Sequence, residues 1–259
     1  MKPRNADNFL FRASSMGAIM TGVKKKWDVD HSITCQRKLV ELYREKCWGR
    51  KAEIGNKYTE KGLKVEEDSL TLYSAVKKHF FVKNDIRLTN EFFTGECDTY
   101  IGESIEKAES IFDIKSVWNW STLPSIIDAE PDDAYFYQGQ VYMHLTGAKE
   151  HTIVYCLVNT PANLIEREIK NLVYEGFEIG EPAFVEKAQD IEINSIVDVE
   201  LFKKHFPNYQ FYNKVWEFDI APKERVFEIN FKRDEQVIDA MIERVKDCRN
   251  WLNNNFFNI

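Results

Sequence analysis

Between Ser110 and Ser116 the chain reads S-I-F-D-I-K-S, and this alternation constrains the fold more than any other stretch. Strand side chains point alternately to opposite faces, so Asp113 and Lys115 share one face while Phe112 and Ile114 share the other. Upstream, Phe92 and Phe93 lead through Gly95 to Cys97, Asp98, Thr99, Tyr100 and Ile101, and Gly102 to Glu106 has turn composition between two β-prone runs. The spacing predicts a β-hairpin within 91–116 whose pairing would bring Asp98 close to Asp113. Two carboxylates and a lysine together suit a hard divalent cation with a polarised water, since Mg²⁺ takes oxygen ligands and keeps several waters. Charged alternation is also what a solvent-facing strand edge looks like, so the hairpin alone leaves both readings open.

With 259 residues and few Gly or Pro clusters, the chain is expected to form a single domain. A 44% hydrophobic content with 14% aromatics marks a globular chain and excludes disorder. The net charge of -7 gives no global pull toward nucleic acid. Locally, Lys24, Lys25, Lys26, Arg37, Lys38, Arg44, Lys46, Arg50 and Lys51 make the first fifth basic, which a solvated helix face also explains. No run approaches the ~18 apolar residues of a membrane span, and the opening MKPRNADNF lacks an apolar signal core, so a cytoplasmic protein without membrane contact is expected. Cys35, Cys47, Cys97, Cys156 and Cys248 are scattered and never form a C-x-x-C pair. That pattern argues against a disulfide framework, a structural zinc or an iron-sulfur cluster, and reads as buried small apolar residues.

Along the chain, 9–22 reads as an extended entry into a helix that Ser14 or Ser15 could cap, and a helix start of that kind also binds phosphate. Helices are expected over 33–48 and 52–70. In the second of these Glu53, Lys57 and Glu60 share a face, as a surface salt-bridge pattern would also place them. Strands are expected around Phe80–Val82 and Asp85–Phe93. Trp118 and Trp120 lie in a loop after the hairpin, and Pro131-Asp132-Asp133 opens a helix that stops at Gly147. In that helix Tyr135, Gln138, Tyr142 and Leu145 form one stripe, where a buried amide needs partners. Thr152–Val158 is a continuous apolar run, as in a strand covered on both faces. Residues 162–210 are mixed, with helices expected over 163–174 and 197–205. A strand over 225–232 and an amphipathic helix over 235–253 close the chain.

The ordered set of Glu60 in G-N-K-Y-T-E, Asp98 in G-E-C-D, D-I-K at 113–115 and Y-F-Y-Q-G-Q-V-Y-M at 135–143 resembles the PD-(D/E)XK nuclease superfamily. Within it, the chain is similar to the YqaJ-like viral recombinase group, the phage lambda exonuclease-like family, whose Ser-containing opening R-A-S-S at 12–15 also resembles. The resemblance covers most of 9–158 and 225–255 and leaves a family-divergent insertion around 162–224. It departs from the family in having Asp113 where many relatives have Glu, and in lacking a Pro beside Asp98.

The resemblance implies an α/β, restriction-endonuclease-like fold, a central mixed β-sheet flanked by α-helices in one domain over 1–259. It implies one or two Mg²⁺ ions, or Mn²⁺, held by Glu60, Asp98, Asp113 and the carbonyl of Ile114. Lys115 would orient or help deprotonate the attacking water, and Gln138, with Gln140 or Tyr142, would brace the lysine or the scissile phosphate. The implied substrate is double-stranded DNA with free ends, digested 5′ to 3′ to give single strands for an annealing protein in phage-type recombination, in the host cytoplasm. Arg12, Ser14 and Ser15 would hold a 5′-phosphate, and Trp118 and Trp120 would stack on bases. The group also forms trimers. The alternatives are an endonuclease or end-trimming defence nuclease of the same superfamily, and a DNA-binding scaffold on a nuclease fold.

Overall fold

The protein is described by a computed structural model over residues 3–22, 31–51, 55–127, 130–216 and 219–258. Lys24, Lys25, Lys26, Glu53 and Ile54 lie outside the described residues. A small sheet contains β1 (Phe11–Arg12), β2 (Leu88–Thr89) and β3 (Phe93–Gly95), with β3 central, parallel to β1 and antiparallel to β2. A larger sheet takes β4 (Thr99–Gly102), β5 (Ala108–Ser116), β6 (Glu150–Cys156) and β7 (Val226–Lys232) in that spatial order. Its central pair, β5 and β6, is parallel, and both edge strands run antiparallel. The helices are α1 (Met16–Met20), α2 (Ile33–Trp48), α3 (Lys57–Lys77), α4 (Asp133–Thr146), α5 (Ala162–Tyr174), α6 (Pro182–Ser195), α7 (Val199–His205) and α8 (Glu235–Leu252). This is the expected α/β arrangement of mixed sheets flanked by helices.

The hairpin forms with Thr99 opposite Phe112 and Ile101 opposite Ser110. Its alternation divides the core. Phe112 and Ile114 pack with Tyr73, Val65 and Phe81 under α3, where the Tyr73 and Phe81 rings stack at 4.7 Å. Ile111 joins Val141 and Met143 of α4 and Met241 and Val245 of α8 on the other face. Because parallel strands need a crossover, α4 links β5 to β6 across that second face. Asp132 caps α4 by accepting from the Ala134 amide at 2.8 Å, and Gly147 ends it with φ 82°.

Three expectations need correction. The third helix runs on to Lys77, because Leu72, Tyr73 and Val76 continue its buried stripe, and it kinks at Val65 (φ -118°, ψ 17°). Phe80–Val82 is no strand. Phe81 is buried against Tyr73 while Phe80 and Val82 are exposed, and Val82 uses its carbonyl to accept from Thr99 Oγ1. Asp85–Phe93 contains only β2 and the start of β3, separated by a turn in which Asn90 Oδ1 accepts from the amides of Phe92 and Phe93. In the insertion, α6 was not foreseen. Pro182 starts it, and Phe184, Ala188 and Glu192 are buried with α5 and α7 in a separate apolar cluster around Phe202. Among the described residues no helix is long and apolar enough to cross a membrane.

Gly139 sets how closely α4 rides on the sheet, since a Cβ there would lie 2.5 Å from Phe231 Cζ and 2.8 Å from His151 Nδ1. Gly139→Ala is expected to lower stability by about 1–3 kcal/mol, the usual cost of overpacking, despite alanine's better helix propensity. Urea unfolding should show a lower midpoint at unchanged slope; an unchanged or raised midpoint would contradict this packing.

Candidate active site

The chain reaches Asp98 one residue before β4 begins, and its amide donates to the Phe112 carbonyl at 3.2 Å. Beyond that point β5 has no strand partner on this side. The Asp98 carboxylate takes the vacated position, with Oδ2 accepting from the Ile114 amide at 2.5 Å. The amide and carbonyl of one strand residue address the same neighbour, so the Ile114 carbonyl is directed to the same edge as Asp98. On the face above, Asp113 is 3% exposed and its Oδ2 lies 2.5 Å from Lys115 Nζ. The Lys115 ammonium also sits 5.0 Å from the centre of the Tyr135 ring, brought there by the first turn of α4. Asp98, Ile114, Lys115, Tyr135, Tyr155 and, from α3, Glu66 line a cleft of about 530 Å³, with Asp113 buried behind Lys115.

Burial first and the charge of Asp113 second push the Asp98 carboxyl up to about 7, against the opposing pull of Lys115 and the Ile114 amide. Glu66 adds to the rise, so three carboxylates act on one place. Burial opposes the charge on Lys115, but Asp113 and Asp98 outweigh it and hold the ammonium above its ordinary range. Without a bound cation, Lys115 is therefore held in its charged form. His151, buried on β6 on the same face, is pushed down to about 4 by burial and stays neutral. Burial, with the nearby Asp113 charge, likewise raises the Tyr142 phenol well above its usual value.

Asp98, Asp113, Ile114 and Lys115 are thus brought together. Glu60 is not: it points to solvent, where Oε2 pairs with Arg167 at 2.7 Å and Oε1 with Lys64 at 3.0 Å. The α3 carboxylate at the cleft is Glu66, which also pairs with Lys83 at 3.1 Å. Sequence reasoning missed Glu66. The available signal was its position next to Val65, a core residue, on the helix that covers β5. Gln138 is buried and donates to Tyr142 Oη at 2.8 Å, so it orients the tyrosine and touches neither Lys115 nor a carboxylate. Gln140 is turned away. Its Nε2 donates to the Lys232 carbonyl and its Oε1 accepts from the Asp234 amide, both at 2.9 Å, which fastens α4 to the end of β7.

Trp118 borders the cleft, 5.7 Å from the Tyr58 ring and under the Lys57 ammonium at 4.8 Å. Trp120 is exposed and donates to Asn194 Oδ1. Arg12 and Ser14 line a neighbouring depression of about 630 Å³ with Lys46, Lys51, Arg87 and Tyr142. Arg12 is paired with Glu45 at 2.5 Å. Ser15 lines a narrower adjoining crevice with Ile19, Leu42 and the charged Lys38, Glu41 and Glu45, which shares Arg12 and Lys46 with the depression. It occupies the position before α1 but its hydroxyl caps nothing, because the preceding 3₁₀ turn already gives it helical φ and ψ.

The chain superposes on a phage-related exonuclease from Haemophilus somnus 129PT with a TM-score of 0.66 and 25% identity, over 95% of each chain. The fold is an exonuclease fold. An alkaline exonuclease from Laribacter hongkongensis shares it at TM-score 0.58 and 15% identity, over 96% of this chain and 90% of that one. The same enzyme in complex with dAMP superposes with a TM-score of 0.56. No family model matches the chain, and no curated protein does.

Within this exonuclease fold, Asp98, Asp113, Glu66 and the Ile114 carbonyl are oxygen donors of the kind Mg²⁺ or Mn²⁺ takes, but the oxygens of the three carboxylates do not all lie within 4.8 Å of one another, so closing on one cation requires a side chain to move. The mutual repulsion of the carboxylates is the observation that supports the fit. In metal-free protein Asp98 binds its proton more tightly folded than unfolded, so stability falls as pH rises from about 4 through about 7. Asp98→Asn keeps an acceptor for the Ile114 amide and removes the charge. In EDTA at pH 8 it is expected to stabilise the protein, by at most roughly 4 kcal/mol for a shift of about 3 units, and to flatten this pH dependence of Tm. Equal or lower stability of Asp98→Asn across the range would contradict the electrostatic account.

Proposed function

We propose that the chain is a divalent-metal-dependent exonuclease that hydrolyses phosphodiester bonds of linear double-stranded DNA from 5′ to 3′, leaving single strands for an annealing protein in phage-type recombination. The observation that carries this reading is the buried Asp113 paired with Lys115, beside the partly buried Asp98 that feels both charges, in an exonuclease fold. Asp98, Asp113, Glu66 and the Ile114 carbonyl would hold the metal. When bound, the cation supplies polarisation of the phosphoryl oxygens, acidification of a water and stabilisation of the leaving oxygen.

The chain's own groups do the rest. Lys115 holds the attacking oxygen and the phosphate by its charge and hydrogen bonds, or helps to deprotonate the attacking water. Gln138 fixes Tyr142, whose ring lines the basic depression. Gly95 permits that placement, since a Cβ there would lie 2.7 Å from Tyr142 Cε1. In the depression, Arg12 and Ser14 with Lys46, Lys51 and Arg87 offer charge and hydrogen bonds to a terminal phosphate. Arg12 would exchange Glu45 for that phosphate. Trp118 presents an aromatic surface beside the cleft for a displaced base.

End-labelled linear duplex and a closed circle, each with Mg²⁺ or EDTA, test the reading. Linear DNA should be degraded only with metal and the circle left intact; rapid cutting of the circle would contradict an exonuclease. Asp113→Ala, Lys115→Ala and Glu66→Gln should each lower the rate by roughly 10²-fold or more, the scale of losing a charge-stabilising group, while Glu60→Gln should stay within a few-fold of wild type. The reverse ranking of Glu66 and Glu60 would overturn the assignment.

A 5′-phosphorylated end should be degraded faster than a 5′-hydroxyl end, and Arg12→Ala should erase the difference. Equal rates on both ends in the wild type would remove the depression from the site.

A further inference from the structure

We propose that His31, Cys35 and Cys248 form a second metal site, suited to Zn²⁺, that fastens the start of α2 to α8. An imidazole nitrogen and two sulfurs lie within 4.8 Å of one another here, and the three residues are only 4%, 0% and 0% exposed. None of them borders the carboxylate cleft. The two sulfurs are 3.9 Å apart, far longer than a disulfide bond of about 2.0 Å. Two Zn–S bonds of about 2.3 Å at a tetrahedral angle hold their sulfurs about 3.8 Å apart. A zinc ion can therefore be seated without moving the thiols.

The local structure aims these side chains at one point. Ser32 caps α2 by accepting from the Cys35 amide at 3.2 Å, and Gln36 Nε2 donates to the His31 carbonyl at 2.8 Å. The backbone of His31 is thereby folded back on the first turn, with its ring 6.0 Å from that of Trp251. From the other side, Cys248 belongs to the buried stripe of α8 with Met241, Val245 and Leu252. Arg244, one turn earlier, donates to the Ile19 carbonyl at 3.1 Å and so ties this part of α8 to α1.

Two buried thiols alone would be small apolar filler. The imidazole beside them makes a mixed sulfur and nitrogen set, which selects zinc over the hard cations of a carboxylate site. The fourth corner of the tetrahedron would be filled by a water. The pattern escapes a search for C-x-x-C because the two cysteines are 213 positions apart. Since a site of this kind does not exist in the unfolded chain, metal affinity becomes folding stability.

Cobalt tests the site independently of nuclease activity, because thiolate ligands give an intense near-ultraviolet charge-transfer absorption that carboxylates do not. Reduced, metal-free full-length protein titrated anaerobically with Co²⁺ should develop that absorption with a break at about one equivalent, and Zn²⁺ should erase it. Cys248→Ser and Cys35→Ser should lack the absorption, whereas Asp113→Asn should keep it. Zn²⁺ should also raise the Tm of the wild type and leave that of Cys248→Ser unchanged. Absence of the absorption in the wild type, or its persistence in both serine variants, would overturn the proposal.

Discussion

Asp98 and Asp113 are drawn out of water and toward each other just before β4 begins, and much of the surrounding structure offsets that repulsion. Lys115 meets Asp113 two residues along the same strand, and the Ile114 amide meets Asp98 from the strand edge. Neither contact would hold its geometry on a loose strand. β5 is held by β6 along its length and by Phe112 and Ile114, whose rings and methyls are locked under Tyr73 and Phe81. The face that carries charge is thus positioned by the face that carries none.

The placement of α3 decides which carboxylate joins them. Its C-terminal half is fixed by Tyr73, whose hydroxyl donates to Glu228 at 2.6 Å, and by Lys77, which pairs with the same carboxylate at 2.9 Å. Its N-terminal half is fixed by Lys61, fully buried, donating to the carbonyls of Trp118 at 2.8 Å and Val158 at 2.9 Å. Burial without a carboxylate partner pushes that amine down to about 7, and a neutral amine still has a hydrogen for each carbonyl. Between these anchors the helix kinks at Val65, immediately before Glu66. Lys61 thereby connects the helix bearing Glu66 to the loop bearing Trp118.

The alternation in S-I-F-D-I-K-S was enough to place Asp113 and Lys115 on one face, because a strand's period leaves no other choice. The caps of α4 at Asp132 and Gly147 were legible for a similarly local reason. Glu60 and Gln140 show where local reasoning ends. Both were singled out for their residue type and order along the chain, and each is taken up by partners supplied from far away, Arg167 for Glu60 and the Lys232–Asp234 turn for Gln140. Glu66 sits among Glu67 and Asp68, where nothing in the composition distinguishes the one acid that lines the cleft with Asp98. The segment Phe80–Val82 looked like a strand by propensity, yet its apolar side chains are divided between core and solvent without a partner strand, which only the packing of Phe81 reveals.

The most direct test of the central claim, that β4, β5 and α3 assemble a carboxylate site for a hard cation, is anomalous scattering from crystals grown with Mn²⁺. The account predicts a peak within about 2.0–2.6 Å of oxygens from Asp98, Asp113 and Glu66, with the Ile114 carbonyl beside it. A peak bound through Glu60, or none between Asp98 and Asp113, would contradict it.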